Sequence, residues 1–254
     1  MGGALIEGVK AARADLVITI ITSSPSRRDE IASRYPSCSV TTTLEPSLFE
    51  GDTWTLLAVK PDGAESVCRQ LGVMGAKRVL SVVAGIPAQR LEAALGEGAV
   101  VVRAMPNTAC LVGQGMSAIS GGSHASGADL DWAESILSGV GAVVRLPERH
   151  LDAVVGVSGS GTAYLFMVAE AMIEAGVLVG LSRDVATQLA TQTFVGVGAL
   201  LQQSDRGPEA LRHQVTSPGG TTAAALRVLE MKGLRSAIIE AVVAATERSR
   251  SLAR

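Results

Sequence analysis

The chain has 254 residues, and 22 Lys plus Arg against 24 Asp plus Glu leave a formal net charge of −2. That balance excludes a basic, phosphate-tracking surface, and with only 3 Phe, 2 Trp and 2 Tyr the stacking platforms of a single-strand binder could hardly be built; no nucleic-acid partner is expected. At 47% hydrophobic and 18% charged residues, the chain has ample material for a large core and lies far from disordered compositions.

Residues 16–21, 54–59, 79–83 and 100–103 are short, apolar stretches rich in β-branched residues and bounded by polar residues, Gly or Pro, the pattern of strands. Between them, residues 26–35, 62–71 and 87–95 have helical composition. Strands alternating with helices predict βαβ units and a mostly parallel sheet. Residues 117–120 and 142–146 flank a helical stretch at 128–137 and extend the same sheet as outer strands. The pattern changes near Pro147. Beyond it, residues 151–176, 183–203, 209–215, 221–231 and 234–252 all suit helices, so the expected architecture is an α/β domain over residues 1–146 followed by an all-helical domain over 147–254.

The longest stretch without a charge, residues 185–204, contains Thr187, Gln188, Thr191, Gln192, Thr193, Gln202, Gln203 and Ser204. It is too polar for a bilayer centre, so no membrane is expected. A helix that avoids charge on every face reads as one buried against other helices, including those of a second subunit. Cys38, Cys68 and Cys110 show neither C-x-x-C spacing nor a His partner; free thiols and no metal are expected. Residues 1–10 lack the basic and apolar regions of a signal peptide, which points to the cytoplasm.

In an open parallel sheet, ligands bind where strands end and helices begin. The first such junction reads Thr22-Ser23-Ser24-Pro25-Ser26-Arg27-Arg28, with no acid before Asp29. Two readings stand. Hydroxyls followed by two arginines suit a ribose 2′-phosphate, favouring the phosphorylated dinucleotide; equally, Ser23 to Ser26 simply cap a helix. After the second strand comes Lys60-Pro61, where Pro61 ends pairing and opens a helix. After the third comes Ala84-Gly85-Ile86-Pro87, small enough for a flat ring or phosphodiester to approach the backbone. The motif Arg103-Ala104-Met105-Pro106-Asn107-Thr108 follows, and repetition at successive strand ends favours one shared crevice.

In the helical half, Thr216-Ser217-Pro218-Gly219-Gly220-Thr221-Thr222 precedes a helical run. Either its exposed amides form an anion site for a small carboxylate, or the segment is an ordinary N-cap with a flexible Gly pair. Gly156-Val157-Ser158-Gly159-Ser160-Gly161 fits neither a Walker loop nor a nucleophile elbow. A close helix crossing or a substrate-facing patch of small residues is expected there. His124, His150 and His213 lie far apart without recognisable partners and read as surface or capping residues.

Taken together, Ala58-Val59-Lys60-Pro61, Val83-Ala84-Gly85-Ile86, Arg103 to Thr108, Ser158-Gly159-Ser160-Gly161 and Val215 to Thr222 give a chain that resembles the pyrroline-5-carboxylate reductase family over essentially its whole length. The resemblance implies reduction of 1-pyrroline-5-carboxylate to L-proline, the last step of proline biosynthesis, with NADPH or NADH. It also implies a Rossmann-like domain followed by a helical domain that interlocks with a partner subunit, as a homodimer or a larger assembly of dimers. Carried over by position, Ala58, Val59, Lys60, Pro61, Ala84, Gly85 and Asn107 fall on the cofactor side, with Ser23 and Ser24 near the adenosine ribose. Ser217, Gly220, Thr221 and Thr222 fall on the substrate, backbone amides of their loop taking the carboxylate. The threonine matching Thr222 bonds to the ring nitrogen and is the catalytic candidate.

Two departures accompany the resemblance. The family's first strand and Gly-rich turn have no counterpart ahead of Met1-Gly2-Gly3-Ala4-Leu5-Ile6-Glu7-Gly8, which looks like the helix following that turn; a start assigned too far downstream would produce this sequence. The region Thr43-Leu44-Glu45 lacks the Asn that many members place before the third strand. The expectation is a dimer with little dinucleotide affinity and a loosened N-terminal half from residues 1–254 alone. Two other readings are a non-catalytic dimer that has lost its nucleotide loop and a related dehydrogenase for another imine or a hydroxy acid. Hydroxy-acid members of that architecture rely on a lysine in the first long helix of the helical domain, and residues 151–176 contain none.

Overall fold

The computed structural model describes residues 2–252. The chain forms two compact units: one runs to Gly159 and takes up the chain again from Ala245, and the other is Ser160–Ala244.

The first unit opens with α1 (Gly2–Ala12), β1 (Thr19–Ile21), α2 (Pro25–Arg34) and β2 (Ser39–Thr41). There follow β3 (Thr55–Leu57), α3 (Pro61–Val73), β4 (Arg78–Ser81), α4 (Ala88–Leu95), β5 (Val100–Pro106), β6 (Gly115–Gly121), α5 (Gly127–Leu137) and β7 (Gly141–Arg145). β1 and β2 form a parallel pair of their own, Ile20 opposite Val40. The other five strands lie in sequence order, β3-β4-β5-β6-β7. Only the β5–β6 ladder is antiparallel. β2 is the one strand that the sequence patterning did not suggest.

Because alternate residues point to opposite faces, each central strand feeds two cores. Val79 and Val101 pack with Leu57, Ala64, Cys68, Leu71 and Leu91 under α3 and α4. Their neighbours Leu80 and Val102 pack with Ala104 and Ile119 against Leu5 and Val9 of α1 and Ile136 and Leu137 of α5. A strand buried on both faces reads as a continuous apolar run, which is why β4 and β5 stand out in sequence. Close approach fixes α1 as well, since a Cβ on Gly8 would overlap the Val140 side chain. Trp54 and Trp132 stack with ring centroids 4.1 Å apart, and the Arg78 guanidinium lies 5.8 Å from the Trp54 ring centre. Burial pushes the Cys68 thiol up to about 11, leaving it a small hydrophobe rather than a nucleophile.

The expected helix over residues 151–176 is interrupted. α6 (Leu151–Val154) passes into a π-helical turn, Val155–Gly159, before α7 (Gly161–Leu178) begins. Gly156, Gly159 and Gly161 remove the side chains that favour regular winding, and the Ser158 hydroxyl donates back to the Val154 carbonyl at 3.2 Å, a bond that competes with the helix ladder. α6 and the π turn belong to the first compact unit; the units therefore divide at Gly159 and again at Ala244, where the sequence had suggested a single change near Pro147. The second unit contains α7, α8 (Arg183–Gln203), α9 (Pro208–Gln214), α10 (Thr221–Met231) and α11 (Leu234–Leu252) up to Ala244. Within it Arg183 pairs with Glu174 at 2.8 Å, joining α7 to α8.

In a single chain the charge-free helix is not covered. Only Ala186 and Ala190 of α8 are buried, while Leu189, Val195, Leu200 and Leu201 are exposed, as are Leu165, Phe166 and Met167 of α7. By length and composition alone, the helical stretch 148–178 could cross a membrane. Leu165, Phe166 and Met167 within it, like the exposed side chains of α8, leave apolar surface of the kind a subunit contact buries.

α5 begins with a capping box. Ser126 accepts from the Asp129 N–H at 3.3 Å, and the Asp129 carboxylate accepts from the Ser126 N–H at 2.8 Å. Burial alone would raise the Asp129 pKa, but hydrogen bonds from Ser126 and the nearby Arg78 charge more than offset it, so the group titrates below its ordinary value. A carboxylate lowered in the folded state stabilises fully above its unfolded value of about 4 and loses that contribution as pH falls through its folded value. Ser126→Ala should therefore destabilise the first unit by about 1 kcal/mol at neutral pH. Urea unfolding at stepped pH should show the deficit constant from pH 7 to 5 and shrinking in more acid solution.

Candidate active site

The parallel strands β3, β4 and β5 all end on one rim of the sheet. At the end of β3, Ala58, Val59 and Lys60 are exposed, and Lys60 is the extended residue that places Pro61 at the first position of α3. α1 begins beside them: a Cβ on Gly2 would lie 3.5 Å from that of Ala58. The N-terminal end of α1, with its positive end of the helix dipole, thus faces the same rim.

At the end of β4, Ser81 is fully buried and its hydroxyl accepts the Val83 N–H at 3.3 Å. Val83 and Ile86 anchor the following turn in the core, while Ala84 between them is exposed. Gly85 has φ +78°, a left-handed conformation that a side chain would strain, so the turn presents bare backbone at the rim. Pro87 then stands at the N-cap of α4 without a capping side chain of its own. The Ala88 N–H donates instead to Glu148 Oε1 at 2.7 Å, and the same oxygen accepts Arg103 Nη1 of β5 at 2.7 Å.

Asn107 ends β5 and caps the short 3-10 turn Thr108–Val112. Its Oδ1 accepts the N–H groups of Ala109 and Met116, each at 3.2 Å, and its Nδ2 donates to the Ser158 carbonyl at 3.2 Å. The side chain therefore ties the β5–β6 turn to the π-helical turn, with one amide hydrogen left over.

Ser23 is exposed and Ser24 half-buried at the end of β1. Ser24 occupies the N-cap position of α2 but makes no cap bond; its hydroxyl pairs with that of Ser26 at 2.9 Å. Arg28 is engaged with the Asp29 carboxylate at 2.8 Å. The structure brings the start of α1 beside Ala58 and exposes backbone at the Ala84-Gly85 turn of the same rim, while Ser23 and Ser24 lie at the end of β1 in the separate two-stranded sheet.

In the second unit, Ser217 and Gly220 close a tight turn, the Gly220 N–H donating to the Ser217 carbonyl at 3.1 Å. Gly220 is the N-cap of α10, has no capping side chain, and leads into a first turn without acidic residues. Such an end leaves its amides to an anion. Thr187, Thr193 and Thr216 each fold their hydroxyl onto the carbonyl four residues earlier; Thr222, half-buried in the first turn of α10, makes no such bond.

The sequence patterning located the rim turns and the loop before α10 but gave no indication of Glu148. The signal available was negative: Ile86-Pro87-Ala88 opens a helix with no Ser, Thr, Asp or Asn at the cap, which leaves its first amide open to an acceptor from elsewhere in the chain, from solvent or from a ligand.

Removing the Asn107 side chain would strand two N–H donors and one carbonyl. Asn107→Ala should lower the stability of the first unit by about 1–3 kcal/mol. Asn107→Asp keeps the acceptor but sets a carboxylate against the Ser158 carbonyl, so its thermal midpoint should fall between those of the alanine variant and the unmodified protein.

A model of the pyrroline-5-carboxylate reductase dimerisation region matches residues 148–252. The pyrroline-5-carboxylate reductase of Mycobacterium tuberculosis (strain CDC 1551 / Oshkosh) is 41% identical over 278 residues, covering 99% of this chain and 93% of that protein. Among solved structures, the pyrroline-5-carboxylate reductase from Coxiella burnetii superposes with a TM-score of 0.91 at 31% identity, covering 100% of this chain and 95% of its own. The Plasmodium falciparum pyrroline carboxylate reductase, solved with NADP bound, gives a TM-score of 0.86 at 29% identity with the same coverage. A likeness that runs through sheet, rim and helices alike, at this identity over nearly every residue, leaves one conclusion: the chain belongs to the pyrroline-5-carboxylate reductase family.

Proposed function

We propose that this chain reduces 1-pyrroline-5-carboxylate to L-proline, holding NADPH on residues 1–146 and the imine on residues 147–254. The observation that carries the reading is the loop before α10, where Gly220 starts an 11-residue helix with neither a capping side chain nor an acid in its first turn. An N-terminus of that kind accepts a small carboxylate.

NADPH, when bound, supplies the hydride that adds to the imine carbon. The chain's own part is binding and orientation. Ala84 and Gly85 offer the nicotinamide a flat, side-chain-free backbone, and Ala58, Val59, Lys60 and Pro61 line the same rim. Asn107 holds the end of β5 in place and has one amide hydrogen to offer. Ser23 and Ser24 take the adenosine ribose. On the substrate side, the amides of the Ser217–Gly220 turn and of Thr221 hold the carboxylate. The Thr222 hydroxyl bonds to the ring nitrogen, which takes up a proton from solvent as its carbon gains the hydride. Positioning of this kind can supply most of the acceleration without a strong base.

Arg27 and Arg28 follow the ribose-facing serines, and Arg28 already pairs with Asp29, so Arg27 is the residue better able to meet a 2′-phosphate. The uncovered faces of α7 and α8 lie within the matched dimerisation region and pair one subunit with another. The cytoplasm, with its pool of reduced nicotinamide, is the compartment this reading assigns.

Purified protein supplied with pyrroline-5-carboxylate and enough NADPH to saturate the weak dinucleotide binding expected from its sequence should yield proline; binding of the imine without proline under saturating NADPH or NADH would overturn the assignment. Thr222→Ala should raise the barrier by about 1–3 kcal/mol, a rate loss of roughly 5- to 150-fold, and an unchanged rate would remove Thr222 from the reaction. Arg27→Ala should narrow the preference for NADPH over NADH more than Arg28→Ala does, read as the ratio of kcat/KM for the two cofactors.

A further inference from the structure

Glu148 stands outside every motif the reaction uses, yet one of its oxygens serves two sites at the rim. Oε1 accepts the Ala88 N–H, the first amide of α4, and Arg103 Nη1, each at 2.7 Å. Arg103 lies in β5 opposite Ser81 of β4 and Ser120 of β6, both buried. Its guanidinium is itself largely buried, with 12% of the side chain exposed. A carboxylate at a helix N-terminus that also neutralises a buried guanidinium is a strong, directional tether.

The same short segment reaches the turn by a second route. Asp152 Oδ1, four residues beyond Glu148, accepts the Ser249 hydroxyl of α11 at 2.6 Å. At the end of α11, Leu252 lies against Gly85: a Cβ there would come within 3.7 Å of the leucine Cβ. Glu148 thus fixes the exit of the Ala84-Gly85-Ile86 turn into α4, and the end of α11, to which Asp152 is bonded, borders the turn at Gly85.

We propose that Glu148 is a positioning residue for hydride transfer, fixing through Ala88 and Arg103 the turn on which the nicotinamide lies. The inference rests on the proposed function for what occupies the turn, but not for the tether itself. A reacting centre displaced by about an ångström can lose two orders of magnitude in rate, so loosening this turn acts on the cofactor's reactive end and leaves recognition of the imine alone.

Glu148→Ala should lower kcat/KM for NADPH by about ten-fold or more, with KM for pyrroline-5-carboxylate within about two-fold of the unmodified protein. Glu148→Gln, which retains an acceptor for both donors, should recover most of that loss. Hydrogen exchange of the amides in residues 84–90 should be about ten-fold faster in Glu148→Ala and close to normal in Glu148→Gln. Equal kinetics in Glu148→Ala, or equal impairment of the two variants, would overturn the proposal. Should the unmodified protein make no proline, the proposed function falls, and exchange at Ala88 still decides the tether: faster exchange in Glu148→Ala sustains it, and unchanged exchange overturns it.

Discussion

A parallel ladder obliges every strand to leave the sheet by the same end and return through a helix. In this chain β3 and β4 obey that rule, returning through α3 and α4, while β5 ends on the same rim but turns back through a 3-10 turn into antiparallel β6. A proline stands near each strand end: Pro61 opens α3, Pro87 is the N-cap of α4, and Pro106 is the last residue of β5. Where the backbone must also turn sharply, Gly85 takes the left-handed conformation. The chemistry of the rim follows from this topology, because turns built of Ala, Gly and Pro expose peptide groups rather than side chains, and a dinucleotide is recognised largely through such groups.

The starts of helices carry a second requirement: their first amides need acceptors. α5, far from any proposed ligand, meets it locally through Ser126 and Asp129. α4 meets it from sixty residues away through Glu148. α2, α3, α7, α9 and α10 have no side-chain cap bond, and two of these, α2 and α10, are the helices assigned here to the adenosine ribose and the substrate carboxylate.

Much of this was readable in the sequence wherever the determinant is local. β4 and β5 announce themselves as apolar runs because both faces are buried, and α8 matched its expected bounds because Asp184 and Asp205 bracket an uncharged stretch. The rim turns and the loop before α10 were legible for the same reason, being written in consecutive residues. β2 was not, since Ser39-Val40-Thr41 is three residues long and only Val40 is apolar. The π turn was also missed: Gly156, Gly159 and Gly161 sit in a stretch of otherwise helical composition, and what breaks the winding is the local bond from Ser158 together with the tether from Asn107. Glu148 and the Trp54–Trp132 stack depend on residues about sixty and eighty positions apart, a separation no local pattern reports. The exposed apolar faces of α7 and α8 are legible only when the helix is considered beside a second copy of itself.

The central claim is that the carboxyl ends of β3 and β4 are the cofactor face of the sheet. Amide hydrogen exchange measured with and without NADPH tests it directly, comparing residues 58–61 and 84–88 on the rim with residues 52–55 and 76–78 at the opposite ends of the same strands. The account predicts slower exchange on the rim alone. Protection at the opposite ends, or none anywhere at saturating NADPH, would contradict it.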